Sequence, residues 1–548
     1  MIIKAISSLE KVMSSHTLDS FRAVERLTAA RGERVSFQIA VQETVKSQAG
    51  TVQISLRSPL SRHTRLFSVE YVPCEMPLYQ DRTGGDVITR EPGLFPDVLR
   101  PLKKGEKVRL ALYTLKPFWC TVELPEDVTP GAYPVYISLR DETGAVAKTK
   151  VIIDVKDAVL ADAPLRFTQW FHCDSIADYF GVKMMSEKHW KLIERFLRTA
   201  VHTGVNMILT PIFTPPLDTL VGDERPTMQL VRVEKSGNDY TFDFAALDRW
   251  VALCRKCGIT HFEMAHLFTQ WGAKACPKIV VRCGGRDEKL FGWHVPSLSP
   301  LYHDFLRQFL PALVEHLEQL GVAENCYFHL SDEPVADPTR PDYQNYCKIR
   351  ALVKPLLGRC KMMDAVSHVE FFDNGLVDYP VVPTDFIGPF LDRDLPERWC
   401  YTCCAQSGRV ANRFLAFPSF RNRVSGLHFY LHNMTGYLQW GYNYYYSVCS
   451  ASPIDPYRVT DGLHGYPGGD SFSVYPHENG AIESIRAVVF YEGLQDRRLL
   501  LALEQKIGAG AVHAMVESIA GGPVTFTDCL DAEKVQRIHD TAVQLLAE

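Results

Sequence analysis

The sequence has no long apolar run, no leader-like start and no block of like charge. No stretch of about eighteen uncharged apolar residues occurs, so a membrane-spanning helix is not expected. Met1-Ile2-Ile3-Lys4-Ala5-Ile6-Ser7-Ser8 lacks a basic stretch followed by an apolar one, and the chain is read as cytoplasmic. Lys and Arg number 59 against 64 Asp and Glu, a net charge of -5 without a basic tract, which suits neither nucleic acid nor an acidic membrane surface as partner. A Gly-x-Gly-x-x-Gly after a strand, a Walker loop, a Gly-x-Ser-x-Gly elbow and a His-Glu-x-x-His pair are all missing, so nucleotide, serine-hydrolase and zinc-protease chemistry have no carrier. No cofactor is implied.

Cysteine is present without a pattern. The fifteen cysteines are odd in number and scattered through apolar segments, which points to reduced, buried thiols rather than a disulfide framework. Cys400, Cys403 and Cys404 cluster, but no second pair stands at zinc-site spacing, and packing accounts for them without a metal. His172, His261 and His266 likewise form no recognised ligand pattern. Internal repeats and low-complexity tracts are missing too.

What is there is a chain of 548 residues, longer than one hydrophobic core serves, so two or three domains are expected. From about residue 34 to 156, short alternating apolar runs are separated by turns. Val35-Ser36-Phe37-Gln38-Ile39-Ala40-Val41, Tyr133 to Leu139 and Ala147 to Val155 predict half-buried strands of a β-sandwich over residues 1–162. Polar turn chemistry at Ala161-Asp162-Ala163-Pro164 marks a boundary. Beyond it, strands alternate with amphipathic helices, the mark of a (β/α)8 barrel over 163–548. The predicted strands are Phe167–His172, Val205–Thr210, His261–His266, Cys326–Ser331, Lys361–Asp364, Val381-Val382, Trp399–Thr402 and Gly436–Trp440, with closing helices from Ile485. The fold class is therefore multidomain, an N-terminal β-sandwich followed by a TIM-type barrel with C-terminal helices.

In such a barrel the active site lies at the C-terminal ends of the strands. Ser331-Asp332-Glu333-Pro334 follows the fourth strand, and Pro334 is expected to end the ladder and hold Glu333 extended, bringing both acids to one mouth. Glycosidic cleavage needs a proton donor and a second negative group, and an adjacent Asp-Glu supplies both. Mutual repulsion and partial burial would raise one pKa, keeping a proton on Glu333 near neutral pH. The plainer reading makes Asp332 a helix cap and Glu333 a solvated loop charge.

These residues, with Trp399-Cys400-Tyr401, Gly436-Tyr437-Leu438-Gln439-Trp440, Asp455-Pro456-Tyr457, Gly468-Gly469-Asp470 before Tyr475-Pro476, and Ile485-Arg486 before Glu492-Gly493, resemble glycoside hydrolase family 123 and the related domain of unknown function 4091, over roughly residues 165–505. The resemblance implies a retaining exo-β-N-acetylgalactosaminidase that works by substrate assistance. The sugar's own acetamido oxygen would then attack the anomeric carbon. Asp332 would orient the acetamido group, and Glu333 would serve as general acid and base.

Substrate-binding candidates are Trp440 and Tyr442 as an aromatic wall, Tyr442 or Tyr401 as donor to the acetamido oxygen, and Trp399, Asp470, His266 and Gln169. A core role for Trp399 and Trp440, a plain turn at Asp470 and a structural ion pair for Arg486 are the competing readings. The expected partner is an oligosaccharide or glycoconjugate substrate, with a homo-oligomer left open. One alternative is a glycosidase acting on a sugar without an acetamido group, which would need a second carboxylate such as Asp364 or Glu263. Another is a barrel that binds carbohydrate without turnover.

Overall fold

The computed structural model describes residues 1–43, 50–80 and 84–548. The N-terminal part, to Val159, is a sandwich of two five-stranded sheets. One sheet has the order Ile2–Ser7, Arg34–Gln42, Leu115–Glu123, Thr64–Cys74, Gly93–Pro101, and the other Arg26–Arg31, Val146–Val159, Gly131–Asp141, Thr51–Arg57, Lys107–Arg109. Alternation explains the packing. Val135, Ile137 and Leu139 point into the sandwich core, whereas Tyr136 between them is exposed. Arg34–Gln42 is buried over eight of its nine residues, because its sheet also packs outward. Phe67, Val69, Leu99 and Trp119 of that outer face share a core with Val488, Val489, Leu499 and Leu500 of the helix Ile485–Ile507.

The last sandwich strand ends at Val159, and a closed parallel barrel begins seven residues later. Its strands are β1 (Arg166–Gln169), β2 (Met207–Thr210), β3 (His261–Met264), β4 (Cys326–His329), β5 (Lys361–Ala365), β6 (Tyr379–Pro383), β7 (Trp399–Thr402) and β8 (Gly436–Gln439). Each strand expected from the sequence is present. The ring closes with Gln169 of β1 paired to Gln439 of β8. The loops after β2 and β3 build a four-stranded sheet, Arg232–Ser236, Asp239–Asp243, Ile279–Cys283 and Arg286–Phe291, while Ser484 caps the closing helix by accepting from Ala487 N.

Sandwich and barrel are joined by polar groups as well as by the shared core. Arg486 of the closing helix is fully buried and paired with Asp97 of the sandwich at 2.9 Å, confirming its structural reading. The same guanidinium donates to Phe472 O at 2.9 Å, and Tyr475 Oη donates to Asp97 at 2.6 Å. Gln495 accepts from Arg34 N at 2.7 Å and donates to Arg34 O at 2.8 Å, continuing the pairing of a strand with a side chain.

Candidate active site

The chain leaves β4 under tight constraint. Leu330 N and Ser331 N donate to Asp364 of β5 at 3.1 and 3.3 Å, Ser331 Oγ donates to Thr269 O at 2.9 Å, and Trp271 N donates to Asp332 O at 2.9 Å. Glu333 then adopts φ 46°, a left-handed conformation rather than the extended one expected before proline. Pro334 disfavours the right-handed helical region, and the left-handed well also satisfies it. The reversal lets Asp332 and Glu333, neighbours that would face apart in a strand, line one cleft.

Beneath the pair lies a buried charged triad. His329 has no solvent exposure, its Nε2 is 2.7 Å from Glu263 of β3, and its Nδ1 is 3.4 Å from Asp364. Burial works against a charge on His329, but the flanking Asp364 and Glu263 carboxylates outweigh it and push the imidazole up to about 10. Glu263 also accepts from Thr168 Oγ1 at 2.7 Å and from Trp170 Nε1 at 2.6 Å, so the triad fixes the indole above it. Burial, and next the charge of Glu333, hold Asp332 well above the usual carboxylate range, with His329 opposing the rise. The carboxyl that this environment raises is that of Asp332.

The cleft encloses about 120 Å³. An apolar cavity of ~150 Å³ holds one benzene ring, so this space is on the scale of a single six-membered ring. Trp170, Tyr401, Trp440, Tyr444 and Tyr466 supply aromatic walls, Leu217, Ala365 and Leu438 add apolar surface, and His172, Asp218, Gln270, Trp271, Cys403 and Cys404 complete the lining with the two acids. Tyr401 Oη donates to Glu333 at 2.6 Å. Trp440 donates its indole N–H to Asp470 at 2.8 Å and meets Tyr444 and Tyr466 edge-on at 5.1 and 5.0 Å. Asp218 accepts from Tyr444 Oη at 2.7 Å, from Tyr466 Oη and from Cys449 N at 3.1 Å, locking the loop after β2 to the loop after β8. Arg225 donates to His172 Nδ1 at 3.0 Å, so Nε2 carries the proton and donates to Trp440 O at 3.1 Å.

Asp332, Glu333, Tyr401 and Trp440 thus meet in one cleft, and the other sequence candidates do not line it. Trp399 points into the barrel two residues before Tyr401, packs on Tyr327 and donates to Glu397 at 2.8 Å, plugging the far end. Tyr442 stacks on Phe171 and donates to Phe196 O at 2.9 Å, a core role. Gln169 accepts from the buried Arg413 at 2.5 Å and from Ser473 Oγ at 2.8 Å, facing away from the barrel interior. His266 is sealed between His329, stacked at 4.3 Å, and Trp170. Asp470 stands behind Trp440, and burial lifts its carboxyl to about 6 against the pull of Arg413. Asp218, Tyr444 and Tyr466 escaped the sequence reading, since they sit in long aperiodic loops and only their convergence marks them. Among the described residues, no three His, Cys, Asp or Glu side chains form a group that could hold a metal ion.

Residues 170–503 match the catalytic domain of glycoside hydrolase 123. A family 123 glycoside hydrolase from Clostridium perfringens, solved in a study of glycolipid glycan hydrolysis, is similar over 100% of this chain and 98% of its own, with a TM-score of 0.75 and 15% identity. At that identity the likeness is one of fold. A GH2 β-galacturonidase from Eisenbergiella tayi, covering 91% of this chain and 72% of its own at 11% identity, reaches a TM-score of only 0.32. No curated protein matches. With the family's catalytic domain laid over well more than half of its length, the chain belongs to glycoside hydrolase family 123.

Proposed function

We propose that this glycoside hydrolase is a retaining exo-β-N-acetylgalactosaminidase in which the substrate supplies its own nucleophile. The observation that carries the reading is the state of the carboxylates around the cleft. Asp218, Asp332 and Glu333 line it, and the Asp218 carboxylate is already filled by two phenols and a backbone N–H. Glu263 and Asp364, which a second mechanism would need, have no exposure and are engaged by His329 below. A retaining enzyme with a carboxylate nucleophile places its two acids about 5–5.5 Å apart on opposite sides of the bond. Two adjacent residues at one strand end fit that demand poorly and fit the assisted route well.

In the first step the acetamido oxygen attacks C1 as the glycosidic C1–O bond breaks, and Glu333 gives its proton to the departing oxygen. Asp332 accepts the amide N–H as a carboxylate, so in the productive complex the proton of the coupled pair sits on Glu333, and the raised proton affinity of Asp332 strengthens its acceptance as positive charge grows on that nitrogen. Tyr401 holds Glu333 before substrate enters and then donates to the acetamido oxygen. In the second step Glu333 takes a proton from water, water oxygen bonds to C1, and the oxazoline reopens with net retention. The family supports the galacto configuration, and an oligosaccharide or glycoconjugate end of that kind is the expected substrate. Fifteen free cysteines suit a reducing compartment such as the cytoplasm.

The test is release of p-nitrophenol from the β-N-acetylgalactosaminide against the N-acetylglucosaminide, galactoside and glucoside, followed by a series with mono-, di- and trifluoroacetyl groups in place of acetyl. Each fluorine weakens the acetamido oxygen as a nucleophile, so kcat should fall steeply along the series. A flat series, or cleavage of the plain galactoside at a matching rate, overturns the assisted route.

A further inference from the structure

Trp271 lines the cleft yet is 47% exposed, whereas Trp170, Tyr444 and Tyr466 on the same lining are 4%, 0% and 6% exposed. The cleft thus has an aromatic closed end and one indole at its open end. The backbone that carries this indole is strained: Trp271, Gly272 and Ala273 have φ of 58°, 116° and 50° in succession. Such strain survives only where the surroundings over-determine it. Here they do. Trp271 N donates to Asp332 O at 2.9 Å, Gln270 accepts from Asp218 N, Thr269 N and Ala275 O pair at 3.0 Å, and a Cβ on Gly272 would lie 3.0 Å from the Asp342 carboxyl carbon. Ala273 is fully buried. The base of the segment is fixed, and it holds a large apolar ring in water beside the catalytic acids.

We propose that Trp271 is the platform for the first sugar on the leaving-group side, selecting substrates whose penultimate residue is a pyranose with an apolar face. The inference rests on the glycosidase reading of the cleft and adds the class of aglycone. Since the closed end takes the ring to be removed, the next unit toward solvent is the one attached through the scissile oxygen. The Trp271 N–Asp332 O bond places the indole next to the residues that act on that oxygen. An aromatic face meets the C–H face of a sugar while the sugar's hydroxyls stay wet. Contact made there can be spent on orienting the leaving oxygen toward Glu333, so it should appear in the rate for sugar aglycones and not for a leaving group without a ring.

The experiment compares two substrates with the same terminal sugar: the β-N-acetylgalactosaminyl fluoride, which has no aglycone ring, and a disaccharide with galactose as aglycone. Trp271→Ala should lower kcat/KM on the disaccharide about 10-fold or more and leave the fluoride within about twofold, and Trp271→Phe should recover most of the loss. Equal losses on both substrates would make Trp271 a support of the catalytic loop, and no loss on either would remove it from substrate contact; each outcome overturns the proposal. If wild type prefers another terminal sugar, the glycon assignment fails, and the same pair made with that sugar still reads the aglycone effect. For a chain that turns over neither, disaccharide titration of Glu333→Gln followed by tryptophan emission should give a change and a Kd that Trp271→Ala weakens about 10-fold, and an unchanged Kd overturns the proposal.

Discussion

Tyr401 donates its hydroxyl to Glu333 at 2.6 Å, a bond that ties β7 to the residue just past β4 across the mouth of the barrel. Burial, then the neighbouring Glu333 charge, pushes the phenol well above its usual range, so it stays a donor at any working pH. Tyr401→Phe removes the donor with little change in volume. The expected result is a fall in kcat/KM of about 10- to 100-fold, because hydrogen bonds to charged groups contribute ~1.5–3 kcal/mol. Wild-type kinetics in this variant would place Tyr401 outside the reaction.

The two acids should respond differently to their leaving groups. Glu333→Gln is expected to abolish cleavage of oligosaccharides, which need a proton on the departing oxygen, while activated aryl glycosides retain measurable turnover. Asp332→Asn should depress both kinds of substrate by a similar factor. Steady-state rates on one aryl and one sugar aglycone decide the matter, and indistinguishable profiles for the two variants would dissolve the division of roles.

The pH profile carries a sign. If Asp332 must be ionised to accept the amide proton, its raised pKa moves the acidic limb of kcat/KM above the usual carboxylate range. His329 holds that rise in check and Asp364 adds to it, so His329→Gln should shift the limb to higher pH and Asp364→Asn to lower pH. The limb belongs to the coupled pair rather than to one residue. Shifts in the same direction for both variants would break the assignment.

A second titration concerns stability. His539 in the helix Ala532–Ala547 is buried and 2.7 Å from Glu33 of the sandwich. Burial disfavours its charge, but Glu33 and Asp540 prevail and raise it to about 10. A folded-state pKa above the unfolded value of about 6.5 contributes stability that is complete below pH ~6.5 and is lost as pH rises toward 10. His539→Ala should therefore cost about 3–5 kcal/mol at pH 6 and much less at pH 10, read by denaturant unfolding. A gap that stays constant with pH would show the imidazole to be neutral in the fold.

Much of this architecture was legible in the order of residues. The alternation of short apolar runs with amphipathic helices marked all eight barrel strands, because each strand must bury both faces and each helix one. Depth was harder to read. Trp399 and Tyr401 face the same interior, and a period of two cannot say that the first lies at the floor and the second at the mouth. Tyr442 was misplaced for a related reason: the chain leaves β8 at Trp440, and strand alternation no longer applies past Gly441. The left-handed turn at Glu333 was hidden because the residue before proline has two allowed wells and tertiary bonds choose between them. Asp218 was invisible until its partners, more than two hundred residues away, closed on it.

The Asp97–Arg486 pair bears on how this barrel could be handled or inherited. The guanidinium sits in a helix that seals the catalytic half, and its counter-ion belongs to the other half. A barrel cut loose near residue 163 would lose the acid that pairs directly with this buried cation, a defect worth several kcal/mol. Grafting the barrel onto a foreign accessory module would require an acid delivered to the same spot. The sandwich is therefore a structural organ of the enzyme rather than an appendage, whether or not it ever touches a sugar.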